Sequence, residues 1–93
     1  MPRQIVAKAS FTRAYDRLSE TDRSRVAIAL RKFQRSLQTS EAPVGLGIKH
    51  LGGRTYEFRV GLTIRVVYVV AEDEVVLVLL GDHDEVRRFL KRQ

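Results

Sequence analysis

The chain has 93 residues, 44% of them hydrophobic and 30% charged, with a formal net charge of +6. These values fit one small globular domain with a single core and exclude a disordered chain. Cysteine is absent, which excludes disulfides, iron–sulfur clusters, thiol nucleophiles and thiolate zinc sites.

The longest apolar runs, Val66–Ala71 and Val75–Leu80, are too short to span a bilayer. The N-terminus carries no apolar leader segment. A cytoplasmic location without membrane attachment is therefore expected. Thirteen of the 17 basic residues are arginine, the side chain that grips phosphate bidentately. The excess is concentrated in residues 1–38, which carry nine positive and three negative charges. Such a field favours a polyanion or an acidic protein partner over a merely solvated surface.

Ile5–Ala7 suits a short first strand. Phe11, Ala14, Tyr15 and Leu18 recur at helical spacing and predict a helix over Phe11–Leu18. Ser19 or Thr21 can cap a second helix. Its apolar stripe is Val26, Ala29, Leu30, Phe33 and Leu37, and its opposite face holds Arg23, Arg31, Lys32 and Arg35. The two form an αα-hairpin whose stripes need a sheet to cover. The segment Thr39–Gly47 reads as a loop. Ile48–Leu51 can open the sheet, and Gly52-Gly53 is a turn signal. Tyr56–Val60 alternates, with Glu57 and Arg59 on one face. Thr63–Val70 places Ile64, Val66, Tyr68 and Val70 on one face and Arg65 on the other. After the Ala71–Glu74 turn, Val75–Leu80 is apolar throughout, as a strand covered on both faces must be. Asp82 and Glu85 have capping-box spacing and open a last helix with Val86, Phe89 and Leu90 on its apolar side. The expected order is β-α-α-β-β-β-α. It describes an α+β domain in which an N-terminal strand and αα-hairpin pack on a small antiparallel sheet, with a short C-terminal helix.

Three segments carry a family likeness: Lys49-His50-Leu51-Gly52-Gly53 with Tyr56–Gly61, then Ile64-Arg65-Val66-Val67-Tyr68, then Leu80–Phe89. In this order, behind a helical hairpin, they resemble the RelE/ParE superfamily of bacterial toxins, a microbial-ribonuclease-like fold. The second segment is similar to the family's "yRvvY" strand, and the third to its closing segment. The resemblance implies one of two activities. RelE-like members cut mRNA in the ribosomal A site without a metal, and ParE-like members poison DNA gyrase. Both are neutralised by an antitoxin. The nuclease branch is the favoured expectation, with mRNA and the ribosome as partners and no cofactor. The alternatives are a gyrase inhibitor and a degenerate toxin that only binds its antitoxin.

Metal-free RNA cleavage uses the 2′-OH as nucleophile, and needs a base, an acid and cations around the phosphorane. His83 is the leading catalytic candidate, because imidazole transfers protons near neutral pH. In the resemblance it matches a position where nucleases carry Arg or His. Asp82 and Asp84 flank it, and its plain structural alternative is a surface residue in a capping turn. Arg65, inside a valine-rich strand, must be paired or solvated. The resemblance implies a phosphate-binding role for it, and a salt bridge to Glu57 is the alternative. Arg59 shares a face with Glu57, and strand register can bring both near Arg65. Glu57 is then a base or a counter-ion. Lys49, His50 and Arg54 are candidate RNA contacts, as is the basic helix face of Arg31, Lys32 and Arg35. The resemblance implies lysines close to Thr55 and Glu57, which this chain lacks in sequence. Phe89 stands where the nuclease pattern often has Tyr. It is suited to stacking on a base, although core packing is the better reading. The two histidines are 33 positions apart, and no metal-spaced cluster or Gly-rich phosphate loop is present. The sheet's second face, with Val67, Val69 and Val76 or Val75, holds more apolar surface than one short helix covers. An antitoxin segment is expected to bury the remainder.

Overall fold

The computed structural model describes residues 3–39 and 45–92. Among them the chain runs β1 (Gln4–Ala7), α1 (Ala9–Arg17), α2 (Glu20–Thr39), β2 (Lys49–Gly52), β3 (Thr55–Val60), β4 (Ile64–Val70), β5 (Glu74–Gly81) and α3 (His83–Lys91). The expected order holds, with one strand more. The weakly patterned segment after the loop becomes β2 because β3 supplies its hydrogen bonds. Residues 40–44 of the expected loop lie outside the described residues.

Ser19 caps α2. Its Oγ accepts the Asp22 N–H at 3.1 Å, and Glu20 and Asp22 complement the positive end of the helix dipole. Arg23 is half-buried and tied down rather than freely solvated. Its Nη1 donates to the Asp16 carbonyl at 3.2 Å, while its own carbonyl accepts the Tyr15 hydroxyl at 3.2 Å. These two bonds fasten the helix pair across its short joint.

The sheet order is β1-β5-β4-β3-β2. Four strands are antiparallel, as expected, but β1 lies parallel to β5, so the sheet is mixed. β5 lies between β1 and β4, and its unbroken apolar sequence follows from cover on both of its faces, Val75, Leu77 and Leu80 on one and Val76, Val78 and Leu79 on the other. One face packs on the helical hairpin through Phe11, Val26, Phe33, Phe58, Val66 and Leu77. The other meets α3, where Val67, Val78 and Val86 are buried. Val69, Val76 and Leu79 remain only half-buried beside them, so α3 covers that face incompletely. A β-bulge between the Val67–Leu79 and Tyr68–Leu77 pairs inserts Val78 as an extra residue. It resets the alternation, and Leu80 joins the hairpin-side core while Gly81 pairs with Arg65.

Tyr68 is enclosed by Phe33, Phe58 and Tyr56, with ring centroids 4.7, 6.1 and 5.6 Å away. Burial, with a smaller contribution from Tyr56, pushes its phenol up to about 12. The unfolded chain ionises near pH 10, and the folded chain holds the neutral form up to about 12. Its contribution is complete below pH 10 and is lost as pH rises from 10 to about 12. Tyr68→Phe should therefore flatten the alkaline fall in stability by on the order of 1 kcal/mol. Chemical denaturation of both proteins at pH 8 and pH 11 checks this, and parallel pH profiles would refute it.

Candidate active-site cleft

The chemistry-bearing residues meet on the α3 side of the sheet, at the end where β5 passes into α3. Alternation along β3 directs Glu57 and Arg59 to this face, and the opposite parity sends Tyr56 and Phe58 into the hairpin-side core. Register does the rest. Lys49 of β2 lies opposite Glu57, and Arg65 of β4 lies opposite Arg59. Gly81 follows in the same row, next to Arg65, and His83 stands two residues further on, at the start of α3. Together Gly47, Ile48, Lys49, Glu57, Arg59, Arg65 and His83 line a cleft of about 460 Å³. A lysine absent from the sequence neighbourhood of Glu57 is thus supplied across the β2–β3 pair.

Arg65 and Glu57 form the ion pair that the sequence offered as one alternative. Arg65 Nη1 lies 3.3 Å from Glu57 Oε2, and the side chains are 19% and 10% exposed. The pair leaves Arg65 short of partners, since its Nε is buried without a hydrogen bond. Two arginines directly opposed across strands repel each other unless an anion lies between them. One carboxylate faces Arg59, Arg65 and Lys49, so the cleft keeps an excess of positive charge. That excess gives the cleft the electrostatic character of an anion site, and His83 stands at its rim.

Two devices position these groups. The first is the capping box of α3. Asp82 Oδ1 accepts the Glu85 N–H at 2.9 Å, and Glu85 Oε1 accepts the Asp82 N–H at 3.1 Å. Glu85 lies over Gly81, where a Cβ would come within 2.8 Å of its carboxyl carbon. The missing side chain lets α3 start close to Arg65. The second device is the chain before β2, which pattern reading assigns to loop. Leu46 is buried, and its carbonyl accepts the Arg59 N–H at 2.9 Å. Gly47, at φ +59°, then lies against the Arg59 guanidinium, 3.0 Å from where its Cβ would be. Gly47→Ala should cost about 1–2 kcal/mol through its left-handed backbone and displace the Arg59 guanidinium by a few tenths of an ångström. Gly47→Asn tolerates that backbone better but crowds Arg59 equally. Thermal denaturation and the Arg59 Nε resonance should separate the two effects, and an unmoved resonance in both variants would exclude the contact.

The remaining candidates lie elsewhere. His50 and Tyr56 are paired across β2 and β3 on the hairpin side, away from Lys49 and Glu57. Arg54 lines a different hollow with Arg3, Tyr56, Val70 and Glu72. Arg31, Lys32 and Arg35 lie on α2, the helix packed on the hairpin side of the sheet, and do not line this cleft. Phe89 is half-buried against Val67, Val78 and Val86 and is not among the cleft-lining residues. Its place as an RNA-stacking candidate therefore gives way to packing, because the apolar side of α3 needs it there. Among the described residues no group of three His, Cys, Asp or Glu side chains is placed to hold a metal ion. No helix among them is long and apolar enough to cross a membrane.

No protein-family model matches the chain, and no curated protein matches it. Solved structures do. The DinJ–YafQ toxin–antitoxin complex from E. coli contains a chain similar at a TM-score of 0.72 and 13% identity, over 92% of this chain and 98% of that one. The RelB–RelE antitoxin–toxin complex from Methanococcus jannaschii gives 0.69 and 14%, over 90% and 96%. The archaeal RelE–RelB complex from Pyrococcus horikoshii gives 0.69 and 17%, over 88% and 96%. Sequence identity this low leaves the backbone as the shared property, and over nearly its whole length the chain has the fold of the RelE and YafQ toxins.

Proposed function

We propose that this protein is the toxin of a toxin–antitoxin pair, a metal-independent and ribosome-dependent mRNA endonuclease acting in the cytoplasm. The observation that carries this reading is the convergence of Lys49, Glu57, Arg59, Arg65 and His83 in one cationic cleft. The fold shared with RelE and YafQ toxins supports it. In the proposed reaction the RNA 2′-oxygen attacks the adjacent phosphorus. An O2′–P bond forms and the P–O5′ bond breaks, leaving a 2′,3′-cyclic phosphate and a 5′-hydroxyl. The Glu57 carboxylate takes the 2′-OH proton, and protonated His83 supplies one to the leaving O5′. Arg65 and Arg59 neutralise the phosphorane, which carries more charge than the bound phosphodiester. Lys49 holds the flanking phosphate. The basic face of α2 adds salt-dependent attraction to ribosomal RNA.

The partner reading rests on two features. The similar chains were solved in complexes with antitoxins. On this chain, an apolar groove of about 360 Å³ runs between α1, α2 and β5, with Phe11, Tyr15, Leu30 and Leu77 in its lining. An antitoxin segment would bury that groove and the half-covered valines beside α3.

Primer extension on a translated mRNA, with and without ribosomes, tests the activity. Cuts only in the presence of ribosomes are expected. One observation favours a gyrase inhibitor instead: Glu57 already neutralises Arg65 in part. Intact mRNA with cleaved chromosomal DNA after expression would support that reading. Intact mRNA, intact DNA and normal growth would leave an antitoxin-binding protein without toxicity.

A further inference from the structure

We propose that the turn between β2 and β3 carries a second RNA-contacting surface, separate from the cleft. It takes an unpaired base on His50 and Tyr56 and the neighbouring phosphate on Arg54 and Arg3. Lys49 and His50 are adjacent in sequence, but strand alternation sends them to opposite faces. Lys49 enters the cleft, while His50 lies beside Tyr56 with ring centroids 4.8 Å apart.

This aromatic pair is oriented before any ligand arrives. His50 Nε2 lies 2.7 Å from the Gly53 carbonyl. A carbonyl only accepts, so Nε2 carries the proton and the ring is held in place. Gly53 makes this possible by turning the chain at φ +53°. Tyr56 is stacked at 17° on Tyr68, which in turn packs on Phe33. The platform is thus anchored in the hairpin-side core, while His50 itself is exposed.

The charge stands next to it. Arg3, Arg54, Tyr56, Val70 and Glu72 line a hollow of about 370 Å³. Arg3 is oriented by donating its Nε to the Ala71 carbonyl at 2.8 Å. The two guanidiniums outnumber the single Glu72 carboxylate. An oriented ring plane beside two arginines matches a base and its phosphate, the pairing used by single-strand RNA binders. An acidic peptide would use the arginines but not the ring plane, so RNA is the ligand that accounts for both.

The test is fluorescence anisotropy with a single-stranded RNA octamer methylated at every 2′-OH. Such an RNA cannot be cleaved by the proposed chemistry, so binding is read whether or not the protein is a nuclease. His50→Ala should weaken binding about tenfold, the scale of one lost base stack. His50→Phe, which keeps a ring, should bind within about threefold of wild type. Arg54→Ala should lower the slope of log affinity against log salt by about 0.7, the value for one phosphate on a single strand. His50 and Arg54 are exposed, so circular dichroism and the melting temperature should stay those of wild type. Arg65→Ala serves as the cleft control. Binding that falls only in Arg65→Ala, with both His50→Ala and Arg54→Ala within about twofold of wild type, would overturn the proposal. So would wild-type protein that ignores the octamer but binds a polyglutamate peptide through Arg54.

Discussion

His83→Ala should lower ribosome-dependent cleavage by about 10²–10⁴-fold, the range for removing a general acid, and leave the fold intact. The fold survives because the end of α3 is held by other residues. Asp82 and Glu85 cap α3 reciprocally, and the buried contact of its first turn is Val86. His83 is exposed, and alanine is the best helix former, so the stability change should stay within about 0.5 kcal/mol. The measurement is single-turnover cleavage on programmed ribosomes, with melting temperature as the control. A variant that cuts at the wild-type rate would remove His83 from the chemistry and make it a turn residue. The basic face of α2 cannot mask the loss, because electrostatic attraction speeds encounter and leaves the chemical step unchanged.

Arg65→Ala should reduce the cleavage rate by about 10²–10³-fold, as loss of a group that stabilises transition-state charge does. It should also cost about 2 kcal/mol of stability, because Glu57 is left in a largely buried setting without its partner. That figure is below the usual cost for a fully buried pair, since Arg65 keeps 19% exposure. Stability loss and catalytic loss can be separated through Glu57. Glu57→Gln keeps the shape and removes the charge, so it frees Arg65 for phosphate. Affinity for an uncleavable RNA should then rise severalfold, while cleavage falls because the amide cannot take the 2′-OH proton. Full cleavage in Glu57→Gln would make Glu57 a counter-ion only. Arg65→Lys should not restore the rate, since an ammonium cannot replace a planar bidentate donor. A kinetic series on these variants, read beside equilibrium unfolding, distinguishes these outcomes.

Much of the site was legible because its residues break local patterns. Arg65 stands out among valines, and His83 follows an apolar strand at a capping box. The nearness of Glu57 and Arg59 to Arg65 followed from alternation plus one strand pairing, whereas that of His83 depended on the β4–β5 register. Gly47 was not legible, because a glycine in a loop carries no periodicity, and its role is defined only by the Arg59 side chain resting on it. His50 and Arg54 lie apart from the cleft because nearness in sequence is not nearness in space. On a strand, one residue is enough to change faces.

The sequence by itself determined the element types, their order and the inventory of chemical groups. Helix and strand periodicities, caps and turn residues act within a few residues, so they are written locally. It also determined that the sheet would be covered on two faces, through the wholly apolar β5. Tertiary structure alone decided the parallel placement of β1 against β5, the register of β2 on β3 and the bulge at Val78. An all-apolar strand contains no parity signal, and pairing across many residues is selected by packing of the whole core. That selection is what sets Arg65 beside Gly81 and Lys49 opposite Glu57, and so turns scattered charges into one cleft.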